Sequence, residues 1–253
     1  MSNELILAIS GNDIFSGGGL HADLATYTTN KQHGFVAVTC LTAMTEHGFE
    51  VIPVDPTTFA QQLNSLKDVP FSAIKLGLLP NVQVADLALD YVKAHAEIPV
   101  VLDPVLVCKE SHDVEVSALR DELIKFFPYV IIITPNLPEA EILTQSKIQS
   151  LDDMKEAARK LHELGAANVV VKGGNRLNKE KAIDVFYDGT DFTVIEEPVL
   201  EKNNTGAGCT FASSISSQLV QGKSPLEAVK ASKDFVFQAI QHSDQYGVVQ
   251  YDI

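Results

Sequence analysis

Five short apolar runs constrain this chain more than any other feature: LILAIS at 5–10, AIKLG at 73–77, PVVLDPV at 99–105, YVIIITPN at 129–136 and NVVVKGG at 168–174. Each is continuous rather than alternating, and continuous apolar strands are covered on both faces, as in a parallel sheet between layers of helices. The longer stretches between them supply the helices. Residues 151–164 place Met154, Ala157, Ala158, Leu161 and Leu164 on one stripe and run into Gly165, the pattern of a crossover helix with a glycine at its end. The stretch AIDVFYDGTDFTVIEEP differs, because Tyr187, Asp188, Gly189 and Thr190 separate two β-rich runs as a hairpin turn would. No repeat, low-complexity tract or Pro/Gly-rich linker interrupts the pattern. Residues 1–253 are therefore expected to form a single three-layer α/β domain, a mostly parallel sheet with helices on both faces and an antiparallel edge hairpin.

Charge narrows the function classes. The chain has 33 acidic against 19 basic residues, a formal net charge of −14, which repels phosphate backbones and anionic headgroups at long range. Neither nucleic acid nor a membrane is expected as a partner. A small anionic ligand is still allowed, because local cations and helix N-termini act at close quarters. Cys40, Cys108 and Cys209 form an odd set without CxxC spacing, which suggests neither a disulfide framework nor a zinc site and fits a reducing compartment. The start MSNELILAISG lacks the basic region of a signal peptide, and no apolar run reaches membrane-spanning length, so a cytoplasmic location is expected.

Polar clusters follow the apolar runs: Lys75-Leu76-Gly77, Asp103-Pro104, TPNLPEA at 134–140 and Lys172-Gly173-Gly174-Asn175. That order puts them at the carboxyl edge of the sheet, where ligands of open α/β folds bind. Asp103 and Glu139 could hold a hydrated Mg²⁺ there; Glu139 is equally suited to favouring a helix start. Two glycine-rich loops accompany them. SGNDIFSGGG at 10–19 matches neither the dinucleotide fingerprint nor a Walker A loop, and by itself is compatible with a flexible βα connection. NNTGAGCT at 203–210 precedes the small-residue helix FASSISSQLV, so successive N–H groups at a helix start would form an anion hole. The same field would favour a thiolate, which makes Cys209 a candidate base or nucleophile; the alternative is a tight turn with a small packed cysteine.

Together these segments resemble the hydroxymethylpyrimidine/phosphomethylpyrimidine kinases and their bacterial pyridoxal kinase relatives, within the ribokinase-like superfamily. The resemblance runs in order through the loop at 11–24, LTAM, KLGLLPN, VVLDPVLVCK, IIITPNLPEAEIL, VVVKGG, DVFYDG and TGAGCTFASSI. It implies one ribokinase-like domain, ATP as phosphoryl donor with Mg²⁺, a small-molecule acceptor and a homodimer. It also implies roles: Gly206, Ala207, Gly208 and Cys209 as anion hole and proton acceptor, Asp103 and Glu139 at the metal through water, and Asn136, Lys172, Val185 and Gly208 around the nucleotide. Gly11, Asp23, Met44, Leu78 and Val107 match positions around the substrate heterocycle.

Two departures bear on the substrate. Met44 stands where pyrimidine-dedicated members usually carry glutamine, and Ile14, Phe15 and Ser16 stand where relatives commonly have small residues. Cys108 matches a dual-cysteine subgroup associated with pyridoxal kinase activity, in which a second thiol could add to the aldehyde. The expected reaction is phosphorylation of the 5-hydroxymethyl group of pyridoxal, and of pyridoxine and pyridoxamine. The alternatives are a hydroxymethylpyrimidine kinase of the same fold, a sugar or nucleoside kinase, and a ligand-binding regulator that has kept the pocket.

Overall fold

Successive strand residues point to opposite faces of a sheet, and this sheet buries both. The computed structural model describes residues 4–106 and 113–250. Their elements are β1 (Leu5–Ser10), α1 (Gly19–Thr29), β2 (His33–Val38), β3 (Cys40–Thr45), β4 (Gly48–Pro53), α2 (Pro56–Leu66), β5 (Ala73–Leu76), α3 (Val82–Ala94) and β6 (Val100–Leu102). There follow α4 (Asp113–Ile124), β7 (Ile132–Ile133), α5 (Leu137–Thr144), α6 (Leu151–Glu163), β8 (Val169–Lys172), β9 (Lys181–Tyr187), β10 (Phe192–Pro198), α7 (Ala207–Val220) and α8 (Pro225–Gln241). In β6, Val100 and Leu102 join the larger core with residues of α2, α3, α5 and α6, while Val101 packs on the other side with Phe211 and Ile215 of α7 and Val229 of α8. That is the three-layer α/β arrangement the continuous apolar runs predict.

The sheet has eight strands in the order β10-β9-β8-β7-β6-β5-β1-β2. Pairing is parallel from β2 to β8 and antiparallel at β9 and β10. The predicted edge hairpin is β9–β10, in which Tyr187 pairs with Phe192. Its turn is held by Asp188 Oδ1, which accepts the N–H groups of Thr190 (2.9 Å) and Asp191 (2.8 Å). In α6, Met154, Ala157, Ala158 and Leu161 are buried as their spacing predicts. Leu164 departs from that stripe: it lies beyond the last helical residue and is 39% exposed. The separate antiparallel pair β3–β4 was not read from the sequence, although Gly48, with φ 112°, stands at its turn. Among the described residues, no helix is long and apolar enough to cross a membrane.

Candidate active site

Parallel strands end on one edge, so the polar residues that terminate β1, β5, β6, β7 and β8 are brought to one side of the sheet. Helix α7 begins at the same edge: a Cβ added at Gly208 would lie 3.4 Å from Lys172 Nζ and 3.9 Å from Asp103 Oδ2. Lys172 Nζ donates to Asp103 Oδ1 at 2.9 Å, and Thr134 Oγ1 donates to the same oxygen at 3.2 Å. Burial alone would push the Lys172 ammonium down, but the Asp103 and Glu139 carboxylates outweigh it and hold it above the ordinary lysine value. Glu139 is pushed up to about 7, first by burial and then by Asp103, against the opposing pull of Lys172. Two carboxyl groups thus share one ammonium, an arrangement that favours a further cation.

Glu139 is also a structural residue. Its Oε2 accepts the Asn136 N–H (2.8 Å) while Asn136 Oδ1 accepts the Glu139 N–H (3.0 Å), a reciprocal capping box that starts α5. The helix-start reading of Glu139 and its place near Asp103 therefore hold together. Asn136→Ala is expected to lower unfolding stability by about 1 kcal/mol in urea titration, with Asn136→Asp retaining most of it.

The second glycine loop meets the first. Gly206 has φ 83°, in the left-handed region, and a Cβ there would lie 1.6 Å from the Gly17 carbonyl oxygen, so only glycine is tolerated. The turn is tied from outside by Val248 N–H, which donates to Thr205 O at 3.0 Å. Ala207 N–H donates to Asn204 O (3.1 Å), and the first intrahelical bond is Thr210 N–H to Gly206 O (2.9 Å). The amides of Gly208 and Cys209, in the first turn of α7, lack intrahelical acceptors and are the ones available to an anion. Ala207, grouped with them from the sequence, has its N–H committed to the turn.

Cys209 Sγ accepts the Gly19 N–H at 3.4 Å. The expected low thiol pKa is corrected by the structure: burial pushes the Cys209 thiol up, with Asp23 and Asp103 adding to the effect and Lys75 opposing it.

The other residues singled out from the sequence fall into three groups. Gly11 lies at the end of β1, where an added Cβ would contact Cys40 Sγ and come within 3.7 Å of Leu78 Cδ2, and Met44 on β3 is 58% exposed. Asp23 and Val185 are both buried. Asp23 is fully buried between α1 and β5, where it binds Lys75, and so faces inward rather than onto an open cleft. Val185 is fully buried in the larger core and paired to strands on both sides. Val107 and Cys108 lie outside the described residues. The sequence reading missed Lys75 as a buried charge. The available signal was a lysine inside an otherwise apolar run, AIKLG, which was read as a strand end.

Among the described residues, no three or more His, Cys, Asp or Glu side chains cluster as a metal cage. Asp103 and Glu139 nevertheless fit Mg²⁺, which is typically held by one or two carboxylates together with water and substrate phosphates.

A lysine, two carboxylates and a glycine turn at a helix start, gathered at one edge of a parallel sheet, suit transfer of a phosphoryl group to a small acceptor; the molecule is a small-molecule kinase in architecture. The chain belongs to the phosphomethylpyrimidine kinase family, whose model matches residues 13–252. It is 39% identical over 253 residues to the pyridoxine kinase of Bacillus subtilis, covering 96% of this chain and 92% of that protein. To the hydroxymethylpyrimidine/phosphomethylpyrimidine kinase of Aquifex aeolicus it is 35% identical over 250 residues, covering 96% of each. The solved pyridoxal kinase of Staphylococcus aureus in complex with AMP-PCP and pyridoxal superposes with a TM-score of 0.91 at 32% identity, over 100% of this chain and 96% of that one.

Proposed function

We propose that this protein transfers the γ-phosphate of ATP to the 5-hydroxymethyl group of pyridoxal, with pyridoxine and pyridoxamine as further acceptors. The observation that supports it most is the convergence of Lys172, Asp103 and the Gly208 turn within one contact distance at the sheet edge. Cys209 Sγ, as the thiolate, takes the proton from the hydroxymethyl oxygen and becomes a thiol. That oxygen bonds to the γ-phosphorus as the bond to the β–γ bridging oxygen breaks and ADP departs. The Gly208 and Cys209 amides and Lys172 hold the charge on the phosphoryl oxygens. Asp103 and Glu139 would hold a hydrated Mg²⁺, which would neutralise phosphate charge when bound. Positioning and charge neutralisation supply most of what phosphoryl transfer requires.

The test is a panel of vitamin B6 vitamers and hydroxymethylpyrimidine with ATP and Mg²⁺, read by product mass. Greater turnover of the pyrimidine than of pyridoxal would overturn the substrate assignment in favour of the thiamin-pathway reading. Met44 supports pyridoxal, because it offers no amide to an aminopyrimidine.

Cys108 is proposed to add its thiol to the pyridoxal aldehyde. The sulfur–carbon bond forms as the carbonyl π bond opens, and the thiol proton passes to the oxygen. Cys108→Ala is expected to lower kcat/KM for pyridoxal about tenfold or more while pyridoxine, which has no aldehyde, changes much less. Equal losses for both vitamers would remove the proposal. A cytoplasmic homodimer completes the reading. The exposed pairs Leu41–Ile52 and Met44–Phe49 on β3–β4 support association, which sedimentation would test.

A further inference from the structure

Lys75 and Asp23 form an ion pair, Nζ to Oδ1 at 2.8 Å, with both side chains at 0% exposure. Removing two charges from water is costly, and such pairs are often no better for stability than apolar replacements, so this one invites a role beyond holding the fold. Its placement supplies one. Helices α1 and α7 meet on two matched rungs. On the first, Gly19 N–H donates to Cys209 Sγ at 3.4 Å; on the second, Ser213 Oγ donates to Asp23 Oδ1 at 2.5 Å. Asp23 is four residues beyond Gly19 and Ser213 four beyond Cys209, so each rung lies one helical turn behind the other on the same faces. Lys75 reaches the same Asp23 oxygen from β5. Its ammonium turns toward the carboxyl edge of the sheet, where a Cβ at Gly77 would lie 2.8 Å from both Lys75 Nζ and Ser10 Oγ. Among the described residues, Asp23 Oδ2 has no hydrogen-bond partner.

We propose that Lys75 is a positioning residue for Cys209: held by Asp23 one turn behind the Cys209–Gly19 contact, its ammonium stabilises the thiolate that accepts the proton of the acceptor hydroxyl. The inference rests on the reading of Cys209 as the base. The charged and titratable groups facing Cys209 act with known signs. Burial disfavours the thiolate most, Lys75 from β5 and the Gly19 N–H from α1 favour it, and Asp23 from α1 and Asp103 from β6 oppose it. Lys172 from β8 belongs to the same cluster, its ammonium being held up in part by Cys209. On α1, Tyr27 is pushed up by burial and by Asp23. Lys75 itself is held charged against burial by Asp23, Cys209, Asp103 and Tyr27. Within the pair, lysine and aspartate thus act on the thiol in opposite directions.

The experiment is iodoacetamide alkylation of the full chain, followed for the Cys209 peptide by mass spectrometry at a pH below the thiol midpoint. Cys209 is partly exposed and within reach of the reagent. Lys75→Met is expected to slow alkylation about tenfold, and Asp23→Asn to accelerate it by several-fold. The double variant Lys75→Met/Asp23→Asn, which leaves no lone buried charge, is expected to fall below wild type and decides the matter if Lys75→Met does not fold. A purely structural role would shift all three in one direction or none. An unchanged or slower rate in Asp23→Asn, or an unchanged rate in the double variant, overturns the proposal. Because the readout needs neither ATP nor a vitamin, it is separable from the base assignment, which fails instead if Cys209→Ala keeps its turnover.

Discussion

Replacement of Cys209 by alanine is expected to lower kcat by about a hundred- to ten-thousand-fold, the usual contribution of a positioned general base, while ATP affinity measured by calorimetry changes little. The amides of Gly208 and residue 209 survive the substitution, so the anion site is kept while the proton acceptor is lost. Burial holds the Cys209 thiol above its ordinary value, so the thiolate fraction grows as pH rises, and wild-type kcat should climb through the alkaline range. Cys209→Asp supplies an acceptor that ionises far lower, and its rising limb should move to lower pH. Its rate should still stay below wild type, because Asp23 and Asp103 already oppose negative charge at that point. Turnover of Cys209→Ala near the wild-type rate would make the thiol structural.

Asp103→Asn should lower kcat by about a hundred- to a thousand-fold, equivalent to about 3–4 kcal/mol of lost charge stabilisation in a dry site. Asparagine keeps an oxygen for the Lys172 and Thr134 hydrogen bonds, which run 2.9 and 3.2 Å to Asp103 Oδ1, so folding should be affected far less than turnover. Alanine is a poorer test, since it leaves the Lys172 ammonium largely buried without its partner and would cost stability as well. Turnover and urea stability measured on the same preparation separate the two effects. If chelation of Mg²⁺ leaves wild-type activity unchanged, the metal assignment of Asp103 and Glu139 is lost with it.

Much of this was legible in the sequence. Continuous apolar runs can be satisfied only by strands covered on both faces, and that requirement led to the layered α/β fold, the parallel core and the polar edge. The helix at 151–163 followed from its stripe, and the β9–β10 hairpin from the Asp-Gly turn. The glycine turn before α7 was recognisable because a helix start with free amides needs no distant partner to be an anion site. The β3–β4 pair was not, since a two-stranded sheet standing apart from the core lacks the burial that writes a pattern into its residues.

What only the tertiary structure decided are the quantities that depend on neighbours far apart in the chain. The sequence determined that Cys209 sits at a helix start, a local matter of turn and dipole. Burial between α1 and the sheet edge determined that its thiol is nonetheless held up. Lys75 reads as a strand residue until Asp23, 52 positions away, is brought to 2.8 Å. Asp23 and Val185 occupy family-matching positions in the chain, yet packing turns both inward. Local conformation is set by residues a few places apart, whereas desolvation and charge pairing depend on whatever the fold brings into contact, and those neighbours exist only once the layers have closed.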